Sequence, residues 1–136
     1  MAEFIVTNTN DSGAGSLRDA IAQANSNTAG SLDTIVFSAS VFNDPTDVIA
    51  LTGADIDISQ PLIIRGNGAT TTIIDGQGND RIFNSSAELT LENVTIQGGS
   101  TTDNGGGVLS SSAVTVINST ISGNSSGGSG GGIRTT

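Results

Sequence analysis

The chain of 136 residues has no cysteine, tryptophan, tyrosine, histidine or lysine. Without cysteine there can be no disulfides, and the fold must hold by non-covalent packing. The missing histidine, cysteine, lysine and tyrosine also remove most side chains that serve as nucleophile or as acid and base near neutral pH. Arg18, Arg65, Arg81 and Arg134 are the only cations, and against 13 carboxylates they leave a formal net charge of −9. Such a chain offers no basic stripe to a phosphate backbone, so nucleic acid is excluded as an expected partner. No apolar run approaches the ~20 residues of a membrane-spanning helix. Met1-Ala2-Glu3 lacks the basic-then-apolar form of a secretion signal, so export would need a signal from outside this stretch. The only aromatics are Phe4, Phe37, Phe42 and Phe83. With scattered Val, Ile and Leu they make a thin core, marginal for a globular sandwich but adequate for a narrow coil of stacked aliphatics.

What the chain does have is a repetition. Leu89-Thr90-Leu91-Glu92-Asn93-Val94-Thr95-Ile96 returns as Val114-Thr115-Val116-Ile117-Asn118-Ser119-Thr120-Ile121, and Gly105-Gly106-Gly107-Val108 returns as Gly130-Gly131-Gly132-Ile133. Both pairs are 25 residues apart, as is Val108 from Phe83, and a constant offset without insertion is what a chain wound at fixed circumference produces. Apolar residues alternate within each repeat, so the period is two. The segments are short, β-branched and broken by Gly and Asn, which excludes a helical repeat. An all-β fold follows, a right-handed parallel β-helix of about 25 residues per coil. Asn93 and Asn118 should make the bends, since Asn accepts a left-handed backbone cheaply. Stacked at roughly 4.8 Å, their amides should pair as a ladder, and Thr90 over Thr115 and Thr95 over Thr120 should form outward hydroxyl rows. With one outward threonine per strand, these rows fall short of the paired threonines of an ice-binding face.

Residues 1–47 read differently. Phe4-Ile5-Val6-Thr7 is a strand, and residues 8–15 are a loop of turn formers. Ser16-Leu17-Arg18-Asp19 has the form of a helix start with Ser16 as N-cap; the helix should run to about Asn25 with Leu17, Ala20, Ile21 and Ala24 on its buried face. An open coil exposes core residues and unpaired strand edges, and a short amphipathic helix laid across its end covers both. Residues 1–47 are therefore expected to be the N-terminal cap and residues 48–136 the coils, with strands at Thr34-Ile35-Val36-Phe37, Val48-Ile49-Ala50-Leu51, Asp55-Ile56-Asp57-Ile58, Pro61-Leu62-Ile63-Ile64, Thr71-Thr72-Ile73-Ile74 and Arg81-Ile82-Phe83. Residues 98–107 and 122–132 should form a wide polar loop on each coil, and no cap follows Ile133.

The run Val6-Thr7-Asn8-Thr9-Asn10-Asp11-Ser12-Gly13-Ala14-Gly15-Ser16-Leu17-Arg18-Asp19-Ala20-Ile21, followed by Asp33-Thr34-Ile35-Val36-Phe37, resembles the amino-terminal segment of large bacterial secreted and surface β-helix proteins. The repeats are similar to those of chlamydial polymorphic outer membrane proteins. This resemblance covers almost the whole chain and implies surface display and adhesion outside the cell. The relatives are usually much longer, whereas this chain stops in mid-pattern.

Candidate sites are sparse. Gly76-Gln77-Gly78-Asn79-Asp80-Arg81-Ile82 matches most of a nonapeptide calcium repeat, but that device shares each ion between tandem copies and only one copy is present, which favours a plain glycine-rich turn. Asp75, Asp80 and Arg81 are the residue types that polysaccharide lyases and hydrolases mount on a β-helix face. Their 25-residue successors are not acidic: Asp75 gives Ser100 and Asp80 gives Gly105. Asp44, Asp47, Asp55 and Asp57 are read as dispersed solubilising charge. Asn84, Asn93, Asn118 and Asn124 each open an N-x-[ST] triplet of the kind that arises by chance in such a composition. No catalytic, cofactor-binding or metal residue is assigned, and no cofactor is expected. The expected role is a non-catalytic structural module, extracellular or on the cell surface, serving adhesion, display or self-assembly. Its partners would be a second copy, meeting the uncapped last coil as a dimer or filament, or a surface glycan or host protein. A domain that binds or cleaves polysaccharide is the alternative, though four phenylalanines do not line a sugar-binding groove.

Overall fold

The computed structural model describes residues 2–29 and 32–136. The strands are β1 (Glu3–Val6), β2 (Asp33–Phe37), β3 (Val48–Ala50), β4 (Ile56–Ile58), β5 (Leu62–Arg65), β6 (Ile73–Asp75), β7 (Phe83–Ser85), β8 (Leu89–Glu92), β9 (Thr95–Gln97), β10 (Ser100–Thr101), β11 (Val108–Ser110), β12 (Val114–Ile117), β13 (Thr120–Ser122), β14 (Ser125–Ser126) and β15 (Ile133–Thr135). One helix, α1 (Leu17–Ser26), lies between β1 and β2. Most strands pair with those one turn before or after them, always in parallel. Three long ladders result, β1-β2-β5-β8-β12, β3-β6-β9-β13 and β4-β7-β11-β15, with β10 and β14 as a short fourth. The molecule is a parallel β-solenoid of about four turns, as the repeat spacing requires.

Like residues stack on like inside the coil. Ile49, Ile74, Ile96 and Ile121 form one column, Ile35, Ile64, Leu91 and Val116 a second, and Ile56, Phe83, Val108 and Ile133 a third. Up to the last coil every member of these columns is at most 3% exposed. Burying each such side chain stabilises by roughly 1.5–3 kcal/mol, which is how a chain so poor in aromatics fills its centre. The coil length is not constant. Along the first ladder Glu3 lies over Thr34, Asp33 over Leu62, Leu62 over Leu89 and Leu89 over Val114, offsets of 31, 29, 27 and 25 residues. From Phe83 onward the three ladders keep a register of 25.

The corners are made as the sequence suggests, but the ladders on them are not. Asn93 and Asn118 have φ of 56° and 46°, the left-handed bend expected of them. Among the described residues no hydrogen bond joins their amides; the backbone carries the stacking instead, with Asn93 N–H donating to the Ile117 carbonyl at 3.1 Å. An amide on an exposed corner bonds water equally well, so little drives an outward ladder there. Thr90 and Thr115, and Thr95 and Thr120, do lie in register. Thr95, however, is 7% exposed and donates to the Ala69 carbonyl at 2.5 Å, because a turn of the preceding coil covers it. Residues 98–107 and 122–132 are not loose loops. Gly105 N–H donates to Ser129 O at 2.9 Å, Gly106 N–H to Gly130 O at 3.1 Å and Ser125 N–H to Gly99 O at 2.9 Å. A Cβ on Gly106 would overlap the carbonyl oxygens of Ser125 and Gly131, so glycine here permits rungs too close for any side chain.

Helix α1 lies across the first rung and holds the edge of β4, while Ile5 in β1 stays 55% exposed. The Ser16 hydroxyl accepts from Asp19 N–H at 3.1 Å, capping the helix, and Leu17, Ala20, Ile21 and Ala24 are buried. The helix packs on β1, β2 and β4. Strand β4 starts its ladder, and among the described residues no strand pairs with its outer side; α1 supplies bonds there instead. The Asn25 amide imitates a strand, donating to Asp57 O at 2.9 Å and accepting from Ser59 N–H at 3.0 Å. Arg18 donates to Ala54 O at 2.7 Å and Asp55 O at 3.2 Å, and is held by Asp11 at 3.2 Å. Strands β1 and β2, within the expected cap of residues 1–47, are themselves rungs of the longest ladder, which runs past residue 47 without a break. Among the described residues no helix is long and apolar enough to cross a membrane.

Candidate functional site

Side chains capable of chemistry gather at one turn, between β6 and β7, and are occupied there by structure. Asp75 accepts from Gln77 N–H at 2.7 Å with one oxygen and from the Gln97 amide at 3.1 Å with the other. Asp80 accepts from Arg81 N–H at 2.7 Å and from Asp55 N–H at 3.3 Å. These are bonds that shape a turn and tie it to the coils on either side. An acid and base pair needs two carboxylates directed at one scissile bond, whereas each of these is turned onto the donors of its own surroundings.

Arg81 is the centre of this arrangement. Its side chain is 10% exposed and reaches Asp55 in the coil before at 3.1 Å, then Asn104 O at 2.7 Å and Gly105 O at 3.0 Å in the coil after. One guanidinium thus staples three coils together, using the several donors of its planar fork. Asp55, read from the sequence as ordinary solvated charge, is in fact the counter-ion of this staple. Beside it lies an open polar cleft of about 410 Å³ lined by Gly78, Asn79, Asp80, Ser100, Thr101 and Thr102.

The remaining acidic candidates stay apart. Asp44 closes a local turn, accepting from the Thr46 hydroxyl at 2.5 Å and from Thr46 N–H at 2.7 Å, and these two bonds hold its carboxyl below the ordinary value. Asp47 bonds Asp44 N–H at 3.3 Å, and Asp57 is exposed. Among the described residues no group of three or more acidic side chains comes together that could hold a metal ion. Of the four N-x-[ST] asparagines, Asn124 bridges two coils, its amide accepting from Gly99 N–H at 2.8 Å and donating to Ile96 O at 3.0 Å. Asn104 does likewise, accepting from Ser129 N–H at 2.7 Å. Sequence reasoning placed the inter-coil asparagines at the bends and missed these. The available signal was the spacing of Asn79 and Asn104, which are 25 residues apart.

The other distinctive surface is the last coil. Leu89, Leu91, Val94, Ile96 and Val108 are at most 1% exposed, whereas Val116 and Ile117 are 40% exposed and Val114, Ile121 and Ile133 are only partly covered. Strands β12, β13 and β15 each end their ladders. The charge changes as well: no Asp or Glu follows Asp103, and Arg134 is the one charged side chain in residues 104–136. Among the described residues the last coil is therefore apolar and nearly neutral, and its strands pair on one side, in contrast to the acidic coils before it. Comparison of the chain with protein-family models, with characterised proteins and with solved structures finds no match.

Proposed function

We propose that the chain is a non-catalytic structural module of an extracellular or cell-surface β-helix protein, serving display, adhesion or self-assembly through its last coil. The observation that carries this is the apolar face around Val116, Ile117, Ile121 and Ile133, where strand edges end unpaired. Such edges are ready templates for another chain. The engagement of Asp75, Asp80 and Arg81 in holding coils together supports a role without turnover. Sedimentation over a wide concentration range tests it. The mass should rise with concentration, and Val116→Asp should keep the protein monomeric; a wild-type monomer throughout would remove the self-assembly reading. Turnover of an acidic polysaccharide, abolished by Asp75→Ala or Asp80→Ala, would overturn the non-catalytic one.

A second reading, binding of polysaccharide, draws on the cleft between Asn79 and Thr102. Its hydroxyl, amide and carboxylate groups suit a neutral oligosaccharide better than an anionic one, given the net charge of −9. Calorimetric titration with neutral oligosaccharides should then give saturable heat that Asp80→Ala abolishes; absence of heat would exclude it.

A further inference from the structure

We infer that the cleft beside Asp80 takes its ligand on the backbone of β10, which holds two adjacent hydroxyls of a neutral sugar ring where the stack lacks a rung. This rests on the polysaccharide-binding reading above and specifies the groups that make the contact. The chain takes nine residues from Ile74 to Phe83, but twelve from Ile96 to Val108 and from Ile121 to Ile133, although these residues stack in the same two columns. The two longer segments project past the shorter one and carry β10 and β14 on the part that projects. Among the described residues β10 pairs with β14 alone. Its other edge overhangs the turn that holds Gly78, Asn79 and Asp80, and the cleft is the space between them. The site thus lies in the flank of the stack, with coils before and after it.

Which groups face the cleft follows from the rungs on the far side of β10. Ser125 N–H donates to Gly99 O and Gly127 N–H to Thr101 O, both at 2.9 Å. In a trans peptide the N–H points opposite to the carbonyl before it, so the amides of Ser100 and Thr102 turn toward the cleft. Ser100 N–H does so, donating to Asp80 O at 3.0 Å. Thr101 faces β14, which by the same rule sends the Ser100 carbonyl into the cleft. Among the described residues neither that carbonyl nor the Thr102 N–H has a hydrogen-bond partner. A further strand would meet this pair with the N–H and carbonyl of one residue. Two neighbouring ring hydroxyls meet it as well, one oxygen accepting from Thr102 and the other donating to Ser100. The Asp80 carboxylate, which takes one backbone donor on each oxygen, has lone pairs left and can only accept. The ligand must therefore bring several donors within one unit. A sugar ring does, an extended peptide with one N–H per residue does not, and an anionic sugar would be repelled by Asp80. No phenylalanine lines the cleft, so stacking adds nothing and affinity should be about millimolar.

The wild-type protein gives the first test. Titrated with methyl α-mannoside, methyl β-glucoside and methyl β-galactoside, its Thr102 amide should show the largest saturable chemical-shift change for at least one of the three. The permethylated form of that sugar, which cannot donate, should leave the amide in place. Thr102→Pro removes an N–H that bonds nothing within the protein, and Thr101 before it is already extended, as proline requires. The variant should keep the amide shifts of β8 and bind the sugar at least about tenfold more weakly, the loss of one hydrogen bond. Thr102→Ala keeps the N–H and should bind within about twofold of wild type. A sugar that binds equally well to Thr102→Pro, or without moving the Thr102 amide, would overturn the backbone contact while leaving the polysaccharide reading standing. A capped trialanine that moves the amide where the sugars do not would overturn it in favour of a peptide strand. No response to any of the three sugars would overturn it too, and the calorimetric titration with oligosaccharides then decides the broader reading by itself.

Discussion

Two consecutive coils of this molecule are written in nearly the same residues and live in different surroundings. Leu91 is fully buried and Val116, directly over it in the same column, is 40% exposed. Thr90 and Thr115, Ile96 and Ile121, Val108 and Ile133 make similar pairs. In a stack, burial belongs to a position only when a further rung lies on it, so a repeat cannot bury its own apolar face unaided. The strongest way to break the comparison is to truncate one column at both levels. Leu91→Ala should cost about 3–4 kcal/mol and Val116→Ala under about 1 kcal/mol, because the outer side chain has less contact to lose and opens no enclosed cavity. Urea unfolding at concentrations below self-association measures both. Equal losses would mean that the last coil is covered in the isolated chain.

The second difference between coils is the staple. Arg81 bridges three coils, and its 25-residue successors are Gly106 and Gly131, so the outer coils have no equivalent. Arg81→Ala leaves the Asn104 and Gly105 carbonyls and the Asp55 carboxylate without their donor and should cost about 2–3 kcal/mol. Arg65 pairs with Glu92 at 3.1 Å, but with 43% of the arginine side chain exposed. Arg65→Ala should therefore cost no more than about 0.5 kcal/mol. Thermal unfolding of the two variants side by side separates a coil staple from a surface ion pair.

The closed end answers to side chains rather than to strands. Asn25→Ala leaves Asp57 O and Ser59 N–H to water and should cost about 1 kcal/mol. The check is hydrogen exchange, which should speed up at Ser59 and leave the amides of β8 unchanged.

The coil was legible because two blocks share one offset, and the lid because Ser16, Leu17, Ala20, Ile21 and Ala24 carry a capping residue and a helical apolar face. The Asn93 and Asn118 bends were legible for a local reason, the backbone preference of that residue type. What a residue meets in the next coil was not. Alternation says that Thr95 points outward, yet not that a longer preceding turn reaches over to Ala69. The glycine segments read as loops because composition records the absence of side chains, and the rungs between Gly105 and Gly130 depend on backbone approach, which that absence permits. Arg81 looked like part of an acidic turn, since its partners, Asp55, Asn104 and Gly105, lie 23 to 26 residues away in sequence.

The last comparison follows one outward column through the stack. Glu3, Thr34, Ile63, Thr90 and Thr115 stack in register. Thr34 is fully buried, and its hydroxyl finds no hydrogen-bond partner among the described residues, whereas Thr115 on the last coil reaches water. A buried hydroxyl without a partner retains its desolvation cost, and an exposed one carries none. Valine has nearly the same shape as threonine, so the substitution reads the hydroxyl alone. Thr34→Val should raise stability by about 0.5–1 kcal/mol, seen as a higher melting temperature, while Thr115→Val should change it by less than about 0.3 kcal/mol. A loss on Thr34→Val would show that the hydroxyl is bonded in solution, and the two positions would then no longer differ in how they treat the same group.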